Sequence, residues 1–405
     1  MTYEILIYVA LAVGGLLSLS FLIAHTKNQE NSIVWTLVML MFCAVLLFSL
    51  RVTDLTFQWV LIETSTLFGA LLVASNGSSK SVEAAWKFLL LNSYGLGIAF
   101  IGLILISFGN QNAISMDSTV LLATIGAHDN FIVQIGLWLA IFGYSAKLGL
   151  FPNLFWVGDT YAESSSQISG LIAAFIPVAV SFALRPLLEM DAMLSPKFIK
   201  PSNVFLISGI ITILYSIWTV YQLQDVRRMT AKVALFHSGA IAVFLWFRPS
   251  NEIFFFLQAV NLALKGFLFS SLGILRMDGG HRFLDQILGG RGIHRFTTFL
   301  MLAAVCAAFT LPISPVFFTD LLLVKLGLDN GYFWPLVVPG LGLIFFAVIF
   351  GRLLPLLNLP HRKVYKDIRN NVNIRFVITT VLLFILIALG FLGFWGLTQG
   401  GWIHG

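Results

Sequence analysis

Apolar runs of about twenty residues recur from one end of this chain to the other, separated by short polar loops. A helix of about 20 apolar residues is long enough to cross the hydrocarbon core of a bilayer. Only 10% of the 405 residues are charged and the mean hydropathy is +0.92, whereas a soluble domain carries about 25% charged residues. The sequence therefore predicts an all-α polytopic membrane protein with a single membrane domain.

Two of the predicted spans are too long for one unbroken crossing. The spans at approximately 131–163 and 297–329 each exceed thirty residues and contain prolines, so each is predicted to be a discontinuous helix. The run at 4–24 lacks a basic segment ahead of it and is interpreted as a retained first span. The twelve predicted spans are 4–24, 33–50, 53–74, 86–108, 131–163, 166–188, 203–222, 230–248, 252–276, 297–329, 333–354 and 375–397.

The spacing of the two broken helices suggests an internal repeat. They lie five spans apart, which predicts two five-helix units at about 33–188 and 203–354, with 4–24 and 375–397 as flanking helices. Because five is odd, successive units would be inverted in the membrane, as in ion-coupled transporters.

The charged loops predict an orientation. Basic loops fall on one side only if 297–329 crosses once, and the loop 110–130 carries Asp117 and Asp129 but no lysine or arginine. Both termini are then expected outside the cytoplasm, in a prokaryotic-type inner membrane. Four basic residues lie on the minority side: Arg51, Lys197, Lys200 and Arg248. The basic loops contain Lys27, Lys80 with Lys87, Arg227 with Arg228 and Lys232, Arg276 to Arg295, and Arg362 to Arg375.

Several ionisable side chains lie inside the predicted spans. Lys147 stands beside a helix break, and a lysine at membrane depth costs roughly 2.5 to 3.5 kcal/mol, which favours a role in handling protons or ions. Buried opposite charges shift each other's protonation, and the predicted pairs are Glu63 with Lys147 and Lys265 with Asp320. The candidate proton or ion pathway is Glu63, Lys147, His237, Lys265, Asp320 and Lys325, with Asn261 and Ser238 as a possible polar bridge.

A purely structural interpretation exists for each of these residues. Glu63 could accept hydrogen bonds from neighbouring threonines, Lys265 could extend its stem to the membrane surface, and His237 could be hydrogen-bonded in the interior. Asp320 could lie close enough to the outer face to be solvated.

The residue types argue against a cofactor or a metal in this chain. Cys43 and Cys306 are far apart, and no CxxC, Cys/His ligand spacing or haem-attachment motif occurs. Any redox chemistry is therefore expected on another subunit, and catalysis by this chain alone is not indicated. The net charge of +6 reports membrane topology and not nucleic-acid binding.

At these positions the chain resembles the antiporter-like subunits shared by respiratory complex I, multisubunit sodium/proton antiporters and group 4 membrane-bound hydrogenases, and most of all hydrogenase-4 component F. An E-A-T-T stretch is matched at Glu63 to Thr66 and an E-A-x-W-K-Y block at Glu83 to Phe88. The remaining matches are Lys147, Gly149, Pro152, Trp156 and Asp159 in a K-x-G-x-x-P segment, Asp225, Arg228, Ala231, His237 and Gly239 in the next block, Lys265, and Pro315 to Asp320.

The resemblance covers about Arg51 to Gly351 and implies roles for the matched residues. Glu63 and Lys147 would form the first proton-handling pair, Lys265 a central relay, and Asp320 the exit-side acid. Family members have about two more helices ahead of Glu63. Departures from the family pattern leave fewer polar side chains between Lys147 and Lys265. Leu154 and Asn261 replace histidines, Gly158 replaces a proline, Lys232 replaces a tyrosine, and the sixth span has neither lysine nor histidine.

The expected function is a proton- or sodium-translocating subunit of a larger energy-converting complex, with other membrane subunits and a peripheral cytoplasmic redox arm as partners. The alternative is the membrane subunit of an inorganic-carbon uptake pair, with a zinc carbonic-anhydrase-like protein as its partner. An inactive scaffold is a third possibility.

Overall fold

The computed structural model describes residues 3–25, 32–110, 115–128, 130–195, 199–290, 292–312, 314–359 and 369–398. Within these ranges the regular elements are helices, and two isolated β-bridges join loops, Asp54 with Asp117 and Asp225 with Phe283. Some of the charged loop residues from which the orientation was predicted lie outside the described residues: Lys27, Asp129, Lys197, Arg291 and residues 362–368.

The described part of the chain forms sixteen α-helices. In chain order they are α1 (Tyr3–His25), α2 (Ser32–Ser49), α3 (Leu55–Ala74), α4 (Ser79–Gly109), α5 (Ser118–Thr124), α6 (Phe131–Lys147), α7 (Phe155–Glu163), α8 (Ser166–Met193), α9 (Pro201–Val220), α10 (Val226–Trp246), α11 (Asn251–Gly279), α12 (Leu284–Leu288), α13 (Arg295–Ala307), α14 (Pro315–Asp329), α15 (Val337–Leu353) and α16 (Arg369–Thr398).

The predicted fold class is confirmed. Ten helical segments among the described residues are long and apolar enough to cross a membrane. The two spans predicted to be discontinuous are both broken, 131–163 into α6 and α7 and 297–329 into α13 and α14. With each broken pair taken as one crossing, the predicted twelve spans are recovered. Their organisation into two inverted five-helix units stays a prediction.

The sequence analysis placed some helix ends wrongly. Helix α4 begins at Ser79, where the Ser78 hydroxyl accepts from the Ser81 amide as an N-cap, and not near residue 86. The short helices α5 and α12 lie in loops and were not predicted, because they are too short and irregular to give a hydrophobic period.

Helices α8, α10 and α11 form the centre of the molecule. In their most apolar windows 83%, 83% and 94% of the residues are buried, against 39% for α3, α4 and α9. A helix that is apolar on every face is stable only when other helices surround it. Polar side chains on α10 and α11, including His237 and Lys265, are therefore held inside protein and not against lipid.

Glycines bring α4 and α6 into direct backbone contact. A Cβ atom placed on Gly102 would lie 2.4 Å from the amide nitrogen of Ala140, and one placed on Gly143 would lie 2.4 Å from that of Ala99. Small residues allow such close crossings inside membranes, where van der Waals packing holds helices together. The crossing fixes the carboxyl end of α6, including Lys147, against the helix that carries Phe88.

Helix α6 ends in a Schellman motif. Gly149 adopts φ +74°, its amide donates to Ala146 O, and the Leu150 amide donates to Ser145 O. A Cβ atom on Gly149 would also lie 2.5 Å from a methyl carbon of Val157. Glycine therefore stops the helix one residue after its C-cap and lets α7 fold back against the end of α6.

The backbone of the segment between α6 and α7 is hydrogen-bonded by side chains of α9. The Phe151 amide donates to the Thr212 hydroxyl at 2.9 Å, and the Ser208 hydroxyl donates to Phe151 O. Broken helices are tolerated at membrane depth only where such partners satisfy the freed peptide groups.

Replacing Thr212 by valine is expected to destabilise the protein by about 1–3 kcal/mol, because the partly buried Phe151 amide then has no acceptor. The measurement is the free energy of unfolding in detergent. Thr219→Val is the matched control on the same helix, since Thr219 bonds only its own helix, at Tyr215 O and Ser216 O. Equal effects of the two substitutions would contradict this role for Thr212.

Candidate functional site

Lys147 is the last residue of α6 and is fully buried. The last carbonyls of a helix lack amide partners and carry the negative end of the helix dipole, so this position favours a cation. The ammonium also lies 5.2 Å from the centre of the Phe88 ring, which provides a cation–π contact. The break in the helix thus compensates part of the cost of burying the charge.

A hydroxyl joins Lys147 to Glu63. The Lys147 ammonium donates to Thr66 Oγ1 at 2.6 Å, and Thr66 Oγ1 lies 3.5 Å from Glu63 Oε2. The Ser93 hydroxyl donates to the other carboxylate oxygen at 2.6 Å. The predicted pair of Glu63 with Lys147 is therefore brought together, but not as a direct ion pair. The Thr66 hydroxyl stands between the two charges because it lies one turn after Glu63 on the same face of α3.

Sequence reasoning gave Thr66 only the role of satisfying Glu63. The available signal was the spacing Glu63-x-x-Thr66, since residues three apart on a helix share a face. Ser93 was missed altogether, because its approach to Glu63 depends on how α3 and α4 pack.

A second polar cluster lies at the other break. His237, Asn261 and Asp320 line one cavity of about 30 Å³ between α10, α11 and α14. His237 Nε2 and Asn261 Oδ1 are buried without a hydrogen-bond partner among the described residues. The cavity is large enough for a water molecule, whose share of liquid volume is about 30 Å³. Three residues predicted from three consecutive spans therefore meet at one site.

The break between α13 and α14 supplies contacts to this cavity. The Thr310 hydroxyl donates to Asp320 Oδ2, and the His237 ring lies 6.4 Å from the Phe309 ring. The predicted direct pairing of Asp320 with Lys265 is not found in the described structure. Asp320 is hydrogen-bonded by Thr310 at the break before α14, whereas Lys265 lies on the central helix α11.

Lys265 is buried with 1% of its surface exposed, and the described residues give its ammonium no hydrogen bond or ion pair. It lies close enough to His237 for its charge to act on that ring. Asn261 stands one turn earlier on α11 and donates to Ala174 O at 3.1 Å.

Two other predicted residues lie apart from these contacts. Lys325 pairs with Asp329 at 3.2 Å near the end of α14, and Asp329 is 53% exposed, so this pair is a surface feature of the helix end. The Ser238 hydroxyl donates to Ala234 O of its own helix at 3.3 Å. Neither side chain lines the cavity of His237, Asn261 and Asp320.

A chain of charged side chains runs along the face where α4, α7, α10 and the loop before α12 meet. Sequence reasoning treated Lys87 and Arg228 as separate charges at the membrane surface, because only the fold brings them to a common carboxylate. The contacts are Glu83–Lys87 at 2.7 Å, Lys87–Asp159 at 3.0 Å, Asp159–Arg228 at 3.0 Å, Arg228–Asp225 at 3.9 Å, Asp225–Arg282 at 2.5 Å and Arg282–Glu163 at 2.7 Å. We name these seven residues the charged chain.

The charged chain lines an open cavity of about 620 Å³. Arg282 holds Glu163 with both terminal nitrogens, at 3.1 and 2.7 Å, which is the bidentate geometry that arginine and carboxylate favour. The hydrogen bonds that Arg282 donates to Glu163 and to Asp225 raise the pKa of Arg282 above its ordinary value. Among the described residues, no cluster of three or more His, Cys, Asp or Glu side chains has the arrangement of a metal site.

The sequence profile of the family described as NADH:quinone oxidoreductase/Mrp antiporter, transmembrane, matches residues 52–347, more than half of the chain. The chain belongs to this family. The matched region includes every residue of both polar clusters and of the charged chain. Their arrangement is therefore a feature of the part of the chain that defines the family.

Curated relatives resemble this family member over part of their length. A hydrogenase-4 component F homolog of Methylacidiphilum infernorum (isolate V4) is 24% identical over 279 residues, which cover 66% of this chain and 58% of the relative. NADH-quinone oxidoreductase subunit N 2 of Syntrophobacter fumaroxidans (strain DSM 10017 / MPOB) is 26% identical over 257 residues, covering 62% of this chain and 53% of the relative. The chain thus spans a little over half the length of these two proteins.

A solved structure confirms the fold of this family member. A chain of the membrane-bound sulfane sulfur reductase, described as an archaeal respiratory membrane complex, superposes with a TM-score of 0.75 at 18% identity. The match covers 93% of this chain and 77% of that one. The family match and the curated relatives confirm the predicted resemblance to antiporter-like subunits.

Removing the Thr66 hydroxyl is expected to destabilise the protein by about 1.5–3 kcal/mol, the usual contribution of a hydrogen bond to a charged group. The measurement is the free energy of unfolding of Thr66→Val in detergent, with Thr66→Ser expected near wild type. Thr64→Val is the control, since the Thr64 hydroxyl bonds only Val60 O of its own helix. A stable Thr66→Val protein would show that Lys147 does not depend on this hydroxyl.

Proposed function

We propose that this chain is a proton-translocating antiporter-like subunit of a larger energy-converting membrane complex. The observation that carries the proposal is the buried relay from Lys147 through Thr66 to Glu63 at the break of α6. Its family supports an antiporter-like subunit of respiratory or Mrp-type complexes. The ion, the path and the partners are the parts that we propose.

The first part of the path is the hydroxyl relay. A hydroxyl both accepts and donates hydrogen bonds, so Thr66 can accept from the ammonium while its own proton points to Glu63. A proton can then leave Lys147 and reach the carboxylate without the two charges coming into contact. Ser93 fixes the orientation of the Glu63 carboxylate, because its hydroxyl donates to the other carboxylate oxygen.

The second part of the path is Lys265 with the cavity of His237, Asn261 and Asp320. Unpartnered nitrogen and oxygen atoms beside a cavity of water size are the expected partners of ordered water. We propose that water in this cavity carries the proton from the neighbourhood of Lys265 to Asp320. Asn261 then performs part of the role of the histidine that the family resemblance led us to expect at its position.

The charged chain belongs to the face that carries the basic loops. By the positive-inside rule this face is cytoplasmic, which places both termini outside in a prokaryotic-type inner membrane. A peripheral redox arm would then meet the protein on this side. Sodium is the alternative ion, and the direction of transport follows from whichever partner supplies the energy.

Replacing Lys147 by methionine is expected to lower proton uptake about 100-fold, the lower end of what a positioned acid or base contributes. The full chain is reconstituted in proteoliposomes containing pyranine, and a potassium diffusion potential drives the flux. Methionine keeps the length of the side chain and removes the titratable amine. A variant at the exposed Lys80, Lys80→Met, is the control and is expected to conduct as wild type.

Wild-type uptake in Lys147→Met would overturn the proposed function and favour a scaffold. Sodium added on one side distinguishes the two ions, because a sodium pathway requires it and a proton pathway does not.

Purification under mild detergent is expected to recover this chain with membrane subunits and a redox partner that contains iron or nickel. The measurement is metal analysis together with mass spectrometry of the copurifying proteins. Recovery instead with a zinc carbonic-anhydrase-like protein, and loss of bicarbonate accumulation on deletion, would support inorganic-carbon uptake in its place.

A further inference from the structure

Helix α7 connects the charged chain to Lys147. It is nine residues long and carries Asp159 and Glu163 four residues apart, so both carboxylates project from one face into the cavity of about 620 Å³. One turn before Asp159, the Trp156 indole donates to Ala146 O at 3.1 Å, next to Lys147. A displacement of the carboxylates therefore moves the residue that contacts the end of α6.

Trp156 also packs against the ring that faces the ammonium. The Trp156 and Phe88 rings are 5.2 Å apart in an edge-to-face arrangement, and Phe88 is the ring that lies 5.2 Å from Lys147 Nζ. Trp156 is 1% exposed, so a movement of α7 is passed to the side chains packed around this ring. Two separate contacts, one to the backbone and one through Phe88, thus link α7 to Lys147.

Asp159 is shared between two halves of the chain. One carboxylate oxygen accepts from Lys87 of α4 and the other from Arg228 of α10, both at 3.0 Å. Each cation has a second carboxylate available, Glu83 for Lys87 and Asp225 for Arg228. Either cation can therefore release Asp159 without being left unpaired.

The remaining charged groups at this face hold the opposite end of α7. Arg282 binds Glu163 and Asp225 together, which ties α7 to the start of α10. The side chains of Lys87 and Arg228 are 44% and 43% exposed in the cavity, so an entering charged group can compete for them. Exposed ion pairs contribute little net free energy, and their exchange is accordingly easy.

We propose that Asp159 is a positioning residue for Lys147: its shared carboxylate holds α7, and through Trp156 it holds Lys147 on the Thr66 hydroxyl. A charged group that enters the cavity and takes Lys87 or Arg228 from Asp159 releases α7 and alters the relay. This inference rests on the proposed function of Lys147 and identifies where a cytoplasmic partner would act on it.

The test compares Asp159→Asn with Glu83→Gln in the proteoliposome assay, with uptake measured across pH. Asp159→Asn weakens both shared contacts. The pH at which its proton uptake is half-maximal, called the midpoint, is expected to rise by about one unit, which is the usual spread of side-chain pKa values among protein environments. The reason is that a loosened α7 admits water beside Lys147, and hydration favours the ammonium form. Glu83→Gln leaves Lys87 with Asp159 as its carboxylate partner, so α7 stays held and the midpoint is expected not to rise.

The double variant Asp159→Asn/Trp156→Phe separates positioning from a general loss of stability. If both residues act through the same helix, the combined midpoint shift is close to that of the larger single variant. Additive midpoint shifts, or an unchanged profile in Asp159→Asn while Lys147→Met still abolishes uptake, overturn the positioning role only. Wild-type uptake in Lys147→Met overturns the proposed function itself.

Discussion

The requirement that every peptide group at membrane depth find a hydrogen-bond partner governs this structure. Two spans are broken inside the bilayer, and each break leaves amides and carbonyls that helix geometry does not satisfy. At the first break the Schellman turn at Gly149 and the hydroxyls of Ser208 and Thr212 supply partners. The negative end of the helix dipole at the end of α6 favours a cation at Lys147. A functional charge and a backbone defect therefore share one site because each reduces the cost of the other.

Hydroxyl groups, and not direct ion pairs, connect the buried charges. Two opposite charges in direct contact within a low-dielectric interior attract so strongly that neither changes its protonation easily. Thr66 lies between Lys147 and Glu63 and reduces that attraction, and Thr310 keeps the Asp320 carboxylate hydrogen-bonded. Such spacing suits groups that must alternate between charged and neutral forms, as a proton pathway requires. Direct ion pairs are instead found at the open face, in the charged chain.

The sequence was sufficient for the membrane fold, since length and apolarity determine the spans, and prolines with lysine marked both breaks. It also identified Lys147, His237, Lys265 and Asp320, because a charge inside an apolar run is visible without a structure. It could not show that Thr66 separates Glu63 from Lys147, since that contact depends on the glycine crossing of α4 and α6 and on the rotation of α3. The direct pairing of Lys265 with Asp320 is not found in the described structure, where Thr310 donates to Asp320, and Lys325 pairs with Asp329 and not with the residues with which it was grouped. The contacts of Asp159 were hidden because its partners are 72 and 69 residues away.

The two polar clusters differ in whether their polar atoms have hydrogen-bond partners among the described residues. This difference matters for the proposed proton path, because some polar residues of the family pattern are missing along it. In the first cluster protein side chains connect the two charges directly, because Thr66 lies between Lys147 and Glu63 and Ser93 donates to the carboxylate. In the second, His237 Nε2 and Asn261 Oδ1 have no partner in the described structure and face a cavity of water size. An unpartnered buried polar atom is costly, and the cost is removed when water bonds to it. On the proposed path, Asn261 in place of a histidine need not interrupt transfer: water bound to its amide, with His237 and Asp320 on the same cavity, takes the place of the titratable group.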